Sequence, residues 1–165
     1  MGFRRHQVAQ RRVAPRLAPR LRQCRPRAGD LRLGFLQRGL FCGGGFGIFG
    51  HGNVTCLGEA LNRVHDQLPL YRGQNEQGMG FAAAGYAKQW LRQRFMFCTA
   101  SAGPGTANLL TAAGLAHANR LPILMLCGDT FITRLPDPVL QQMENFNDPT
   151  LGVNDAFKSV SRYWD

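Results

Sequence analysis

Residues 95–127 read FMFCTASAGPGTANLLTAAGLAHANRLPILMLC, and the fold class follows from this stretch. The apolar run at residues 95–99 predicts a buried strand, and the run at residues 122–127 predicts another. Between them a glycine and proline turn leads into a predicted helix at residues 106–118. A strand, a crossover helix and a second strand make up the unit from which parallel sheets are built.

The same alternation continues on both sides of this unit. Two strands and two helices are predicted before it, and a helix and a last strand after it. These segments are residues 46–49, 54–65, 68–71, 76–91, 139–146 and a strand near Val153. The order predicts an α/β fold with a doubly wound parallel sheet. Such sheets bind ligands at the carboxyl ends of their strands, so we expect the functional residues in the loops that follow the strands.

Positive charge is concentrated in the first quarter of the chain. The net charge is +10, yet residues 1–40 hold eleven arginines and one acid, whereas residues 41–165 hold nine basic and nine acidic residues. Residues 1–40 show no sustained hydrophobic period, which indicates a disordered or non-native segment. The folded domain is predicted at residues 41–165. A transit peptide is disfavoured because no serine precedes Ser101. An RNA-binding arm stays open as an alternative.

Cysteine spacing and hydrophobic segments bear on the location of the protein. The five cysteines are widely spaced and form no CxxC pair, which favours free thiols in a reducing compartment over a metal site. The longest apolar stretch, residues 40–49, is interrupted by four glycines and is shorter than the roughly 20 residues of a membrane-spanning helix. We therefore expect a cytoplasmic protein without metal ligands of its own and without membrane contact.

Residues 45–50, GFGIFG, match the GxGxxG pattern of dinucleotide-binding folds, and Asp66 follows at the distance of a ribose ligand. That pattern requires a strand before the first glycine and a helix at the third. Here the predicted strand lies inside the motif, and the loop continues through Asn53. We therefore favour a glycine loop, Gly50-His51-Gly52-Asn53, that lets the backbone approach a ligand.

Two more loops follow predicted strands. Asn75-Glu76-Gln77 opens a helix, where a glutamate would also be favourable through the helix dipole alone. Gly103-Pro104-Gly105 fixes a turn and leaves backbone amides at the start of the next helix. Small residues in the helix that begins at Glu76 predict that a ring or a second helix packs closely against it; they are Gly78, Gly80, Ala83, Ala84 and Ala87.

Taken together, the three loops resemble the N-terminal domain of thiamine-diphosphate enzymes of the acetolactate-synthase type. Within that superfamily the sequence is most similar to hydrolases that open the ring of a trihydroxycyclohexane-dione in myo-inositol breakdown. The resemblance covers about residues 45–165 and rests on FGIFGHGN (46–53), YRGQNEQ (71–77), AHANRLP (116–122), GDTF (128–131), PDPVLQQ (136–142), NDAFK (154–158) and SRYWD (161–165). It implies that the chain is an N-terminal fragment of such an enzyme.

The resemblance also implies roles for particular residues. Glu76 matches the carboxylate that hydrogen-bonds the pyrimidine ring of thiamine diphosphate and activates the cofactor for attack on a cyclic diketone. The implied cofactor-binding residues are Gly50, His51, Gly52, Asn53, Glu76, Gly103, Pro104, Gly105 and Asn108. A domain missing from this chain would hold Mg²⁺ and the diphosphate, and a second subunit of a homo-oligomer would complete the active site.

Gly128-Asp129-Thr130, followed by Asn154, approximates the GDG…N diphosphate and metal motif of the same enzymes. Its third residue is threonine and the segment after it is rich in proline, so we interpret it as a surface loop. Two other functions stay open. One is an acetolactate-synthase-like carboligase or decarboxylase, and the other is a non-catalytic dimerisation module with a basic RNA-binding tail.

Overall fold

The computed structural model describes residues 34–35, 40–129, 141, 143, 145, 147–148 and 150–165. All of them lie in one compact unit, Arg32–Asp165. Of the segment 1–40, only positions 34, 35 and 40 are described, so the domain boundary near residue 41 stays a prediction. The helix predicted at residues 139–146 also lies mostly outside the described residues.

Strands and helices alternate along the described chain, as the sequence predicts. In chain order they are β1 (Gly34–Phe35), β2 (Leu40–Gly47), a π-helical turn (Val54–Gly58) continuing into α1 (Glu59–Arg63), β3 (Leu70–Arg72), α2 (Glu76–Gln89), β4 (Arg94–Ala100), α3 (Pro104–Asn119), β5 (Leu124–Cys127) and a 3₁₀ helix (Val153–Ser159).

Four of the strands form a parallel sheet in the order β3-β2-β4-β5, which confirms the predicted fold class. The short strand β1 adds an antiparallel pairing to the start of β2. From β2 the chain moves to β3 on one side of β2. From β3 it then passes over β2 to β4, which lies on the other side of β2. Because crossovers between parallel strands are right-handed, α1 covers one face of the sheet and α2 and α3 cover the other. The loops after β2 and β4 therefore diverge, and a ligand crevice is expected between their carboxyl ends.

The first parallel strand corrects the prediction at residues 46–49, because it begins at Leu40 and ends at Gly47. Glycines weaken a strand in isolation, so this part of the sequence carries no strand signal. Aromatic rings occupy the space that side chains would fill. A Cβ on Gly43 would lie 2.2 Å from the hydroxyl oxygen of Tyr86, and one on Gly45 would lie 2.1 Å from Cζ of Phe97. The strand ends inside the GxGxxG pattern, which confirms that this pattern is not a dinucleotide turn.

The strand predicted near Val153 is wrong, because Val153–Ser159 forms a 3₁₀ helix. Asp155 stabilises its start: the backbone N–H of Gly152 donates to Oδ2 of Asp155 at 3.0 Å, and the Asp155 N–H donates to the Gly152 carbonyl at 3.1 Å. The helix places the buried ring of Phe157 in the hydrophobic core beside α3. An apolar residue at this spacing is equally compatible with a strand, so the short sequence pattern could not separate the two.

Helix α2 packs against α3, which confirms that a second helix contacts its small residues. A Cβ on Gly80 would lie 2.4 Å from Cβ of Ala112 and 3.5 Å from Cδ2 of Leu109. The two helix backbones are therefore close at this point. Gly78, in contrast, is exposed and has only its own cap residue, Asn75, within reach.

The thiol of Cys98 lies in the core of the sheet and gives the fold a pH dependence. Burial and, to a lesser degree, the neighbouring Cys127 together raise the pKa of Cys98 to about 12. The folded state disfavours the thiolate, so this stability is complete below the ordinary thiol pKa of 9.0 and is lost as the pH rises from there toward 12.

We expect the free energy of unfolding, measured in urea, to fall between pH 9 and pH 10.5 by at most about 1.4 kcal/mol per pH unit for this thiol. Cys98→Ala should flatten this slope, whereas the exposed Cys56→Ala variant should keep it. Equal slopes for the two variants would show that Cys98 is not responsible.

Candidate functional site

A cleft of about 710 Å³ opens at the carboxyl ends of β2 and β4, where the topology of the sheet predicts a ligand crevice. The loop after β2, the start of α2 and the start of α3 form its walls. Its lining includes Ile48, Phe49, Gly50, Glu76, Ser101, Gly105 and Asn108. Functional groups from three separate strand ends therefore meet in one cleft.

Glu76 is the carboxylate of this cleft and lies in the first turn of α2. The side chain of Asn75 caps the helix by accepting the Gly78 N–H at 2.8 Å, so the helix begins at Glu76. One carboxylate oxygen, Oε2, accepts a hydrogen bond from Nδ2 of Asn108 at 3.0 Å. The other, Oε1, accepts no hydrogen bond from the described residues. The carboxylate is thus held through one oxygen and has the second available for a ligand.

The turn before α3 brings Asn108 and Gly105 to this carboxylate. Gly103 has φ of 68°, a left-handed conformation that favours glycine, and Pro104 is the first residue of α3. The buried hydroxyl of Thr106 donates to the Ser101 carbonyl at 2.9 Å and fixes the turn. A Cβ on Gly105 would lie 3.4 Å from Oε1 of Glu76, so any longer side chain would enter the space before the carboxylate.

Asn53 holds the loop after β2 in place. Its Nδ2 donates to the Ile48 carbonyl at 3.1 Å and to Oγ1 of Thr99 at 2.9 Å, and its Oδ1 accepts the Gly50 N–H at 2.9 Å. The side chain is 6 % exposed. Both hydrogens of Nδ2 are therefore used within the protein, and donation from Asn53 to a cofactor would have to replace one of these bonds.

The remaining predicted residues of this loop have different surroundings. Gly50 lines the cleft, where its Cβ would lie 2.5 Å from the hydroxyl oxygen of Ser101. Gly52 packs against another loop, since its Cβ would lie 2.8 Å from the backbone nitrogen of Ala102. His51 is exposed, and its ring forms no hydrogen bond with the described part of the chain. His51 and Gly52 do not line the cleft, so cofactor contact by them stays a prediction.

Gln141 is a cleft residue that no sequence pattern indicated. Its side-chain oxygen accepts a hydrogen bond from the hydroxyl of Ser101 at 3.0 Å, and Gln141 and Met143 line the same cleft as Glu76. Gln141 has φ of 65°. Gln141 lies well beyond Cys127, the last residue of β5, so a search limited to the residues next to the strand ends did not find it.

Comparison with known proteins bears on what this cleft binds. Residues 45–148 match the family described as "Thiamine pyrophosphate enzyme, N-terminal TPP binding domain". The matched range contains the loops of Gly50, Glu76 and Gly105. This chain belongs to that family. The predicted resemblance to thiamine-diphosphate enzymes is confirmed, and the family supports thiamine diphosphate as the cofactor.

Curated relatives narrow the similarity. The chain is 54% identical over 125 residues to the 3D-(3,5/4)-trihydroxycyclohexane-1,2-dione hydrolase of Bacillus cereus (strain AH820), covering 76% of this chain and 19% of that protein. It is 56% identical over 125 residues to the protein of the same name from Listeria monocytogenes serotype 4b (strain F2365), covering 76% of this chain and 20% of that protein. This member of the thiamine pyrophosphate enzyme family thus spans about a fifth of the length of these relatives.

Gly128, predicted in a surface loop, and Asn154, predicted beside a last strand, meet in the structure. Nδ2 of Asn154 donates to the Gly128 carbonyl at 3.1 Å, and Oδ1 of Asn154 is buried without a hydrogen-bond partner among the described residues. This is an amide-to-backbone contact that ties the 3₁₀ helix to β5. Within the described residues, no group of three or more His, Cys, Asp or Glu side chains is arranged to hold a metal ion. The segment that follows Asp129 lies outside the described residues.

The helices in the described ranges are short or contain polar residues. None of them combines the length and apolar character that a membrane span needs.

Asn53→Ala is expected to lower the free energy of unfolding by about 2 kcal/mol or more, because it removes three hydrogen bonds in a buried site. Thermal or urea unfolding measures this loss. Asn62→Ala, an exposed asparagine on α1, is the matched control and should change stability by less than about 0.5 kcal/mol. A loss no larger for Asn53 than for Asn62 would contradict its assignment as the residue that holds the loop.

Proposed function

We propose that this chain is the pyrimidine-binding part of a thiamine-diphosphate-dependent hydrolase that opens the ring of trihydroxycyclohexane-1,2-dione in myo-inositol catabolism. The observation that carries the proposal is the Glu76 carboxylate, held by Asn108 through one oxygen and open to the cleft through the other. The names of the curated relatives support the substrate.

The residues of the cleft fit the pyrimidine ring of thiamine diphosphate. Ile48 and Phe49 supply an apolar wall, Glu76 supplies a hydrogen-bond acceptor, and Gly105 leaves space beside the carboxylate that a side chain would fill. An apolar wall with one convergent polar group is typical of a site that orients a flat heterocycle.

When bound, thiamine diphosphate supplies a nucleophilic carbon that attacks a ketone and accepts the electrons of the breaking carbon–carbon bond. The protein's part in this chemistry is to hold a proton in place. Oε1 of Glu76 would accept a hydrogen bond from a pyrimidine nitrogen and would favour the protonated form of that nitrogen. Asn108 fixes the orientation of the carboxylate through Oε2, so the free oxygen needs no reorganisation when the ring binds.

The proposed active site also needs groups that lie outside this chain. We propose that Mg²⁺ and the diphosphate are held by another domain, and that a second subunit of a homo-oligomer completes the site. The extent of the match supports the proposal of another domain, since the aligned residues cover 19% of the Bacillus cereus relative. A cytoplasmic location is proposed from the free thiols of Cys42, Cys56, Cys98 and Cys127.

The test is an assay of a protein that carries this domain within the full length of its relatives. Loaded with thiamine diphosphate and Mg²⁺, it should turn over trihydroxycyclohexane-1,2-dione in preference to pyruvate, whereas the 165-residue chain alone should be inactive. A preference for pyruvate would favour the carboligase alternative. RNA affinity that falls with salt and disappears on deletion of residues 1–40 would favour the binding-module alternative.

A further inference from the structure

A second cleft, of about 490 Å³, opens beside the Glu76 cleft. It is lined by Ile48, Arg72, Gly73 and Gln74, and Ile48 also lines the first cleft. Arg72 ends β3 and lies opposite Gly47 in the sheet. A small molecule reacting in the first cleft would therefore have Arg72 and Gln74 as its neighbours across Ile48.

Arg72 gives this cleft its charge. Its side chain is exposed and forms no ion pair or hydrogen bond with any residue that the structure describes. Other cations have partners of their own: Arg63 pairs with Glu59, and Lys158 pairs with Asp155. Among the described residues that end or directly follow the four parallel strands, Arg72 is the one lysine or arginine. A guanidinium without a partner beside a reaction cleft is suited to bind a carboxylate through two parallel hydrogen bonds.

The proposed reaction creates such a carboxylate. Hydrolysis of a carbon–carbon bond beside a ketone adds the hydroxyl of water to the carbonyl carbon and hydrogen to the other carbon, without an oxidant or a reductant. The neutral ring thereby becomes an open-chain hydroxy acid, which loses a proton at neutral pH. We propose, on the basis of that function, that the second cleft binds the acid released by ring opening, with Arg72 on its carboxylate and Gln74 on a hydroxyl group.

D-gluconate, an open-chain six-carbon hydroxy acid, is the probe for this site, and sorbitol is its uncharged counterpart. Both are titrated by calorimetry into the full-length protein that carries this domain. Gluconate should bind and sorbitol should not. Arg72→Ala should weaken gluconate binding by about tenfold or more, the lower end expected for a charge-assisted hydrogen bond. Arg72→Lys, which keeps the charge without the paired donors, should fall between the two.

Lys88→Ala is the matched control, because Lys88 is an exposed cation in the last turn of α2, outside both clefts. It should bind gluconate as the unmodified protein does. Equal gluconate affinity in the unmodified protein and Arg72→Ala, or no binding to either, would overturn the inference. Turnover of the cyclic dione is measured on the same preparations. Its absence from the unmodified protein would count against the proposed function and leave the carboxylate site to be judged by binding alone.

Discussion

Glu76→Gln in the full-length, cofactor-loaded protein is expected to lower kcat by about 10²- to 10⁴-fold, the usual contribution of a positioned acid–base group. Glutamine keeps the shape of the side chain and can still accept the hydrogen bond from Asn108. It loses the negative charge that favours a protonated ring nitrogen. The folded structure should persist, since a glutamate in the first turn of a helix contributes about 0.3–1 kcal/mol through the helix dipole.

Two further variants separate chemistry from structure at this position. Glu59→Gln makes the same chemical change at an exposed glutamate on α1 that pairs with Arg63, and it should leave kcat unchanged. Asn108→Ala should lower kcat by a smaller factor than Glu76→Gln, because it frees the orientation of the carboxylate but keeps its charge. Near-normal turnover by Glu76→Gln would mean that Glu76 serves only to stabilise the helix.

Local sequence rules predicted the two turns that carry the site. Asn75 caps a helix by a known hydrogen bond, so the start of α2 at Glu76 follows from the sequence. Gly103 favours the turn before α3 and Pro104 favours its first helical turn; α3 begins at Pro104, shortly before the predicted start at residue 106. Such signals span only a few residues, and neighbouring packing in the sheet does not change them.

The hydrogen bond between Asn108 and Glu76 was beyond those rules. These residues are separated by 32 positions, and they meet only because α2 and α3 cover the same face of the sheet. The sequence could not predict the direction of the Asn53 side chain either. A loop asparagine can face a ligand or its own backbone, and Thr99, on a strand far along the chain, provides the partner that holds Asn53 inward.

The glycine-rich part of β2 shows the same limit in the fold. Gly43 and Gly45 form a strand because the rings of Tyr86 and Phe97 fill the space above them. β-Strand propensity is a property of the residue itself, whereas this strand is stabilised by packing against side chains of α2 and β4.

The second large effect is expected at the contact between α2 and α3. Gly80→Ala should destabilise the protein by about 1–3 kcal/mol, the usual cost of overpacking a core. The new methyl group would lie 2.4 Å from Cβ of Ala112, which belongs to a helix and cannot rotate away. Gly85→Ala, in the same helix, has nothing within 4 Å of the added methyl and should stabilise the protein by about 0.4–1 kcal/mol.

A compensating substitution makes this expectation specific. Ala112→Gly alone should cost about 1 kcal/mol through lower helix propensity. Combined with Gly80→Ala it removes the clash and exchanges one helical alanine for another, so the double variant should have a stability near that of the unmodified protein. Urea unfolding of the four proteins gives the coupling energy between the two positions. Additive losses in the double variant would show that the two helices do not meet at Gly80 and Ala112, since only a direct contact makes one substitution relieve the other.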